Sequence, residues 1–164
     1  MRNLLTIGLL LCTASSFAQT DKIVQLLNEQ FAKEQKMYHA DYESDKPTLV
    51  QPFQIENDTL SVEFSYPAVD NTEHIVHYFR KICFKDIEGF EKDMNVLFTA
   101  KEALVKEIVT TKGSDGSVLQ SKINYSNLFF TELRKDQRDE LLQKKIIKAF
   151  KKAGNKIKGN YWYH

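Results

Sequence analysis

Cysteine, glycine and proline are scarce in this chain of 164 residues, which contains two, six and three of them respectively. So few glycines leave little flexible backbone for a loop that cradles phosphate groups, and no glycine-rich phosphate-binding motif is present. The G-x-S-x-G, H-E-x-x-H and C-x-x-C motifs are also missing. The sequence therefore argues against a nucleotide-binding enzyme, a hydrolase with a nucleophile elbow, a zinc protease and a dithiol oxidoreductase.

The sequence also lacks a long apolar run, whereas a transmembrane helix needs roughly 18 to 20 apolar residues in succession. The most apolar stretch, residues 4–12, follows Arg2 and precedes a Ser-Phe-Ala tripeptide that ends at Ala18. Ser16 and Ala18 are small, and they occupy the two positions before the cleavage site that a signal peptidase recognises. We therefore predict a signal peptide over residues 1–18, cleaved after Ala18. The mature chain, residues 19–164, is then expected in the periplasm or outside the cell.

The two cysteines bear on the compartment. A lipoprotein signal needs a small residue directly before its cysteine, whereas leucines precede Cys12, so we favour cleavage over lipidation. Removal of the signal peptide leaves Cys83 as the only thiol, and no disulfide bond can then form within the mature chain. Since small secreted eukaryotic domains usually depend on disulfide bonds, the sequence favours a bacterial exported protein.

The charges of the mature chain balance, because the loss of Arg2 leaves 22 basic residues against 22 acidic residues. Their distribution along the chain is uneven. Residues 144–164 contain seven lysines and no acidic residue, so residues 19–143 carry about seven net negative charges. The C-terminal end is therefore the positive pole of the molecule.

Apolar residues follow a helical period at both ends of the mature chain and a strand-like alternation between them. The Asn57-Asp58 and Asp115-Gly116 steps are typical of tight hairpin turns. We predict a single α+β domain with a mostly antiparallel sheet of about six strands, on which an N-terminal and a C-terminal helix pack. The predicted elements are a helix from residue 20 or 21 to about residue 39, strands at 48–56, 60–66, 74–85, 95–100, 104–111 and 118–125, and a helix from residue 131 to Gly154 or Gly159.

The segment 70–85 holds two histidines and the remaining thiol, and its conformation decides their chemistry. Its apolar residues also fit a helix that starts with a capping box, but their alternation and the hairpin before them favour a strand. On a strand, His74 and His77 point to opposite faces and do not share a metal ion. Cys83 would lie roughly 20 Å from His77, which is too far for a thiolate and its base. The alternative hypothesis is a small envelope hydrolase or thiol-dependent enzyme that uses Cys83, His77 and Glu73.

Three acidic residues, Glu88, Glu91 and Asp93, lie close together in residues 86–95, which we interpret as a loop. Carboxylates of this kind bind calcium in some proteins, but their spacing here matches no EF-hand. We favour a solvated acidic loop over a calcium site. We predict no metal site and no cofactor.

The best functional lead is the lysine-rich segment, residues 144–164. On a helix its apolar residues would lie on one side and its lysines over the remainder, as in helices that bind anionic membrane surfaces. The same pattern describes a helix that docks on its own sheet with a soluble outer face. Nucleic acid is a poor candidate, because the basic run lacks interleaved aromatic residues for base stacking. The predicted binding residues are Lys144, Lys145, Lys148, Lys151, Lys152 and, at a lipid interface, Trp162.

The sequence thus leads to the hypothesis of a small exported bacterial binding or interaction protein without catalytic activity. Its expected partner is a protein, a glycan or an anionic lipid surface, contacted through the lysine-rich helix or an exposed face of the sheet. The missing catalytic motifs and the uneven charge are the observations on which this hypothesis depends.

Overall fold

The structure of the protein is a computed structural model that describes residues 20–37, 46–93, 95–134 and 140–162. In chain order these residues form helix α1 (residues 20–35), strands β1 (Thr48–Glu56), β2 (Thr59–Pro67) and β3 (Ile75–Cys83), a 3-10 turn (Phe84–Asp86), strands β4 (Ile87–Lys92), β5 (Val96–Ala100), β6 (Val105–Lys112), β7 (Val118–Ser126) and β8 (Leu128–Phe130), helix α2 (Glu140–Lys152) and strand β9 (Lys158–Trp162). The predicted signal peptide lies outside the described residues.

The strands form two sheets. The first has the order β1-β2-β3-β6-β7 and is antiparallel throughout, and the second has the order β8-β5-β4-β9. In the second sheet only β4 and β9 run parallel. The α+β class and the mostly antiparallel pairing are thus confirmed. The prediction of about six strands was wrong, because the described residues contain nine, and the prediction that a helix ends the domain was wrong, because β9 follows α2.

Both predicted hairpin turns are present. Asn57 and Asp58 connect β1 and β2 with φ values of 47° and 57°, the left-handed conformation that a two-residue type I′ turn requires. In the β6–β7 turn Gly116 has a φ of 81°, and the Asp115 side chain accepts hydrogen bonds from the backbone N–H and the hydroxyl of Ser117 at 2.9 and 2.6 Å. The turn residues therefore fix the pairing of these strands locally.

Helix α2 is shorter than the prediction. Its described residues run from Glu140, and residues 131–134, which the prediction placed in the helix, are not helical. At the C-terminal end of α2 the N–H of Asn155 donates to the carbonyl oxygen of Phe150 at 3.0 Å. The N–H of Gly154 donates to the carbonyl oxygen of Lys151 at 3.3 Å. This is a Schellman motif, in which Gly154 adopts the positive φ of 91° that favours glycine. The helix therefore ends at the first of the two glycines that the sequence offered.

The hydrophobic core draws residues from both helices and both sheets. Phe31 of α1 lies with its ring centroid 5.3 Å from that of Phe64 on β2. Phe150 of α2 stacks on Phe84 at 4.6 Å and lies 5.5 Å from Phe98 on β5. Each helix is therefore held by aromatic contacts to a different sheet. The described residues of the apolar stripe predicted for each helix face this core, except Leu141, which is 55% exposed.

Helix α1 is also held by a polar contact at an irregular part of β1. The β1–β2 register shifts between Gln51 and Gln54, so the backbone of Phe53 is not paired with β2. The Asn28 side chain replaces that partner, since its amide donates to the carbonyl oxygen of Phe53 and its oxygen accepts from the N–H of Phe53, both at 3.0 Å. This satisfies buried backbone groups that the β-bulge would leave without partners.

Candidate functional site

Two residues of the alternative catalytic hypothesis, His77 and Cys83, lie on the extended strand β3. In the β2–β3 pairing Cys83 lies opposite Thr59, whereas His77 lies opposite Ser65. These positions are six residues apart, which corresponds to roughly 20 Å along a strand. The prediction of a strand is therefore confirmed over Ile75–Cys83, and the structure does not bring the thiol and His77 together.

The contacts of His77 and Glu73 are local. His77 Nδ1 lies 2.7 Å from Glu63 Oε1 on the neighbouring strand β2. The exposed Glu73 uses its backbone N–H to donate to the side chain of Asn71 at 3.0 Å. The other two histidines of the chain, His39 and His164, lie outside the described residues. Glu73 thus contributes to the turn before β3, and His77 forms a cross-strand pair with Glu63.

Residues 86–95 are not the loop that the sequence suggested. Ile87–Lys92 form strand β4, with Glu88 exposed and Gly89 and Phe90 buried. A group of three or more histidine, cysteine, aspartate or glutamate side chains suited to a metal ion is not found in the described part of the chain. The same part contains no helix that is both long enough and apolar enough to cross a bilayer.

Three of the predicted binding lysines lie side by side on α2. Lys145, Lys148 and Lys152 are spaced three and four residues apart, so they share one face of the helix. That face and the neighbouring face of α1 enclose a depression of about 330 Å³. The depression, named here the lysine groove, is lined by Lys22, Leu26, Glu29, Lys145, Lys148, Ala149 and Lys152.

The lysine groove has a strongly positive lining. Its four lysines are exposed, and Glu29 is the single acidic residue that lines it. None of the four lysines forms an ion pair with another described residue, although Lys22 Nζ donates to Gln25 Oε1 at 3.0 Å. Four lysines against one glutamate leave the lining with a net positive charge, and none of these lysines is ion-paired within the described part of the chain, while the mature chain as a whole is balanced.

The remaining predicted binding residues lie elsewhere. Lys144 Nζ is 2.9 Å from Glu140 Oε2 in an exposed pair one helical turn apart, and Lys151 is exposed but does not line the groove. The Trp162 ring packs on the core, with its centroid 5.8 Å from that of Phe90. The contacts of Trp162 therefore belong to the second sheet.

A second polar site, which the sequence did not predict, is centred on Arg80 of β3. The Arg80 side chain is 8% exposed, and it donates from Nε to Glu107 Oε2 at 2.6 Å and from Nη1 to Glu132 Oε1 at 2.5 Å. Nη1 also donates to the carbonyl oxygen of Phe130 on β8 at 3.0 Å. Two further donors reach Glu132 Oε2, namely the Tyr66 hydroxyl at 2.7 Å and Arg134 Nη2 at 3.4 Å. We name Tyr66, Arg80, Glu107, Glu132 and Arg134 the Arg80 network.

Strand register explains how this charge came to face inward. Val62, Arg80 and Glu107 lie directly opposite one another on β2, β3 and β6, so their side chains share one face of the first sheet. Val62 is fully buried on that face. Arg80 is therefore on the core side of the sheet, and Glu107 beside it compensates its charge as a burial of this kind requires.

The backbone of Glu132 is strained, and this strained conformation places its carboxylate in the Arg80 network. Glu132 has a φ of 57°, a left-handed conformation that is costly for a residue with a side chain. The fully buried residues on either side of it are held to Val96 of β5. Thr131 Oγ1 donates to the carbonyl oxygen of Val96 at 2.6 Å, and the N–H of Val96 donates to the carbonyl oxygen of Leu133 at 2.8 Å. The fixed flanking residues therefore hold the Glu132 carboxylate beside Arg80.

Three groups of the network, Tyr66, Arg80 and Glu132, have pKa values that keep their protonation states unchanged near neutral pH. Burial alone would raise the pKa of Glu132, but the charge of Arg80 and the hydrogen bonds from Tyr66 and Arg80 lower it overall. Burial opposes the charge of Arg80, yet Glu132 and Glu107 raise its pKa. Burial and the charge of Glu132 raise the pKa of Tyr66 far above its usual range. Near neutral pH Tyr66 therefore keeps its hydroxyl proton and donates to Glu132, while Arg80 and Glu132 stay charged.

The Arg80 network forms part of the wall of a cleft of about 570 Å³. The guanidinium of Arg80 lies 5.5 Å from the ring centroid of Tyr78 and 5.7 Å from that of Phe130. The cleft is therefore lined by fixed polar groups and by aromatic and aliphatic side chains together, which is the usual composition of a ligand site. Its lining residues are Tyr66, Pro67, Ala68, Val69, Val76, Tyr78, Arg80, Asn95, Phe130, Glu132 and Arg134.

One signal in the sequence points to this site. The alternating apolar positions of β3 run Val76, Tyr78, Ile82, and the position skipped between the last two is Arg80. A charge in the buried phase of a strand is a marker of an ion pair or a binding site. Its partner Glu132 is 52 residues away in sequence, so the signal identifies Arg80 and leaves the rest of the network unassigned.

Comparison of the chain with models of protein families, with curated proteins and with solved structures found no match in any of the three. What the protein does is therefore argued from its own residues, and the lysine groove and the cleft are the two candidate sites.

Proposed function

We propose that the mature chain is an exported bacterial binding protein without catalytic activity, which binds an anionic lipid surface through the lysine groove. Export rests on the signal-peptide pattern of residues 1–18, with cleavage after Ala18 and release into the periplasm or the medium. The observation that supports the binding role is that four exposed lysines from two helices line one depression without ion-pair partners among the described residues.

The arrangement suits an anionic group better than a lysine-rich helix alone would. Lys22 of α1 lines the groove together with Lys145, Lys148 and Lys152 of α2, so a phosphate that enters it meets ammonium groups from both helices. Glu29 of α1 lines it too, but the four lysines outnumber this one carboxylate. Each lysine close to an anionic membrane contributes about 1 kcal/mol to the free energy of binding. Four such lysines therefore give measurable binding at low ionic strength, and the binding weakens at high salt because salt screens the attraction between lysine and phosphate charges.

The packing of α2 limits how the surface is contacted. Its apolar residues Leu142, Ile146 and Phe150 are buried in the core, so they are not available to insert into a bilayer. Leu141 is the one large apolar residue of α2 that is mostly exposed, at 55%. The proposed attachment is therefore electrostatic and peripheral, and it should be reversed by salt.

The test is sedimentation of the mature chain with phosphatidylglycerol vesicles. Replacement of Lys145, Lys148 and Lys152 together by glutamine should weaken binding on the order of 100-fold at low salt, because about 1 kcal/mol is lost per lysine. A matched variant loses three exposed lysines elsewhere, Lys85, Lys101 and Lys122, and should bind at nearly the wild-type level.

Three results decide the outcome of this experiment. Binding that the groove variant loses and the control variant keeps supports the proposal. Equal losses in both variants would mean that net charge alone drives binding, and no binding of the wild-type chain at low salt would reject the role in lipid binding. Phosphatidylcholine vesicles and polyglutamate serve as additional arms, and binding to polyglutamate alone would point to an acidic protein instead.

A further inference from the structure

The cleft contains two polar groups whose hydrogen-bonding capacity is largely unused. Asn95 Oδ1 is buried in the cleft wall and has no hydrogen-bond partner among the described residues. The Arg134 side chain is 39% exposed, and its one contact with a described side chain is the 3.4 Å approach to Glu132 Oε2. A buried acceptor without a donor is costly, so a ligand that supplies a donor at Asn95 removes that cost.

The other charged groups of the cleft, Arg80 and Glu132, are largely paired with each other and with neighbouring residues. Arg80 donates to two carboxylates and a carbonyl oxygen, and both oxygens of Glu132 accept hydrogen bonds. A ligand that paired with Glu132 would have to break these contacts, whereas Nη2 of Arg80 forms no hydrogen bond with a described residue. The groups left to contact a ligand are therefore two cationic donors, Arg134 and Nη2 of Arg80, and a neutral acceptor, Asn95.

The remaining wall of the cleft is apolar. Tyr66 and Tyr78 meet edge to face with ring centroids 5.8 Å apart, which fixes both rings. Beside them Pro67, Ala68 and Val69 continue from the end of β2, and the Val69 side chain is fully exposed. This surface offers an apolar or aromatic group of a ligand a rigid contact at little entropic cost.

We propose that the cleft binds a small organic carboxylate that also carries an N–H donor and an apolar or aromatic group, as N-acylated amino acids do. The carboxylate pairs with the guanidinium of Arg134. The Asn95 side chain, whose Oδ1 is buried in the free protein, rotates toward the cleft so that Oδ1 accepts a hydrogen bond from the N–H. The apolar group packs against Tyr66 and its neighbours. A volume of about 570 Å³ is within the usual range for small-molecule sites. This site is independent of the lysine groove, and neither proposal depends on the other.

The first test changes the ligand and leaves the protein intact. N-acetylphenylalanine and N-acetylphenylalaninamide differ in one group, the carboxylate that Arg134 is proposed to bind. Titration of the mature chain followed by NMR should show that the acid binds about tenfold or more tightly than the amide, which is the ordinary effect of one charge-assisted hydrogen bond. Equal affinities for the two compounds, or no binding of the acid at millimolar concentration, would overturn the proposal.

The second test assigns the carboxylate to Arg134. Arg134→Gln should reduce the affinity for the acid to that of the amide and leave the affinity for the amide unchanged. Lys122→Gln removes one positive charge from the exposed face of β7 and is the matched control, which should preserve the preference for the acid. If Arg134→Gln keeps the preference for the acid, the assignment is wrong. Urea unfolding of both variants shows whether they fold.

The third test assigns the N–H donor to Asn95. N-acetyl-N-methylphenylalanine lacks the donor and should bind wild-type protein roughly tenfold more weakly than N-acetylphenylalanine. In the Asn95→Leu variant, which has no acceptor at this position, the two compounds should bind equally. A difference that persists in the variant would show that the N–H reaches another acceptor and would refute this part of the proposal.

Discussion

In the cleft the Arg80 side chain is 8% exposed and contacts two carboxylates, whereas the lysines of the groove are exposed and contact none among the described residues. Both regions carry positive charge, but the physical conditions differ. In the cleft the charge must be compensated by the protein itself, because burial without a partner is prohibitive. In the groove, water solvates the charge, and nothing in the protein has to compensate it.

This difference separates stability from binding. The Arg80 network is built into the fold, so changes to it are expected to alter the free energy of unfolding. The lysine groove contributes little to the fold, since exposed charges have small effects on stability. Changes to the groove are therefore expected to alter binding and leave the fold intact.

The largest expected effect on stability comes from Arg80. Arg80→Met leaves Glu132 buried without its main partner and should lower the free energy of unfolding by about 3 to 5 kcal/mol. The matched change in the groove, Lys148→Met, should alter it by less than about 0.5 kcal/mol. Urea unfolding at neutral pH measures both values. Similar values for the two variants would break the distinction between the regions.

A smaller effect is expected in the pH dependence of unfolding. The pKa of Glu132 is lower in the folded chain than in the unfolded chain. Its stabilising contribution is therefore complete above the unfolded-state pKa of about 4.3 and is lost as pH falls through the folded-state value. Urea unfolding of wild-type protein and of Glu132→Gln should show that the gap between them narrows as pH is lowered from 7 to about 3. A gap that stays constant over this range would mean that Glu132 is not the titrating group.

The smallest effect concerns the hydroxyl of Tyr66. Tyr66→Phe removes the donor to Glu132 but keeps the ring that packs on Tyr78, so it should cost about 1 to 2 kcal/mol of unfolding free energy. Tyr125 on β7 is 62% exposed, and Tyr125→Phe should have almost no effect. An equal and negligible cost for both changes would show that the hydroxyl adds nothing to the network.

The parts of the fold that the sequence predicts are those encoded by neighbouring residues. The β1–β2 and β6–β7 hairpins follow from Asn57-Asp58 and Asp115-Gly116, and α2 follows from its apolar period. Strand β4 was not predicted, because Glu88, Gly89 and Glu91 in it resemble a loop. Its strand character comes from pairing with β5 on one side and with β9, some 70 residues later, on the other. Such pairing is set by tertiary structure, which outweighs local preference.

The two candidate sites divide in the same way. The lysines of α2 are close together in sequence, so the sequence alone reveals the cluster of positive charge. That Lys22 also lines the groove depends on how α1 packs against α2, which the sequence does not show. The Arg80 network joins residues from β2, β3, β6 and the segment after β8. Glu132, which accepts hydrogen bonds from Arg80 and Tyr66 in this network, has a left-handed backbone that no local pattern at that position indicates.

The most direct test of two separate sites is one NMR experiment on the uniformly labelled mature chain with two ligands. Soluble short-chain phosphatidylglycerol should shift resonances of α1 and α2 around Lys22 and Lys148, and these shifts should diminish at high salt. N-acetylphenylalanine should instead shift resonances around Tyr66, Asn95 and Arg134. Shifts confined to these two separate sets are the predicted result. A common set of shifted resonances for both ligands would contradict the account.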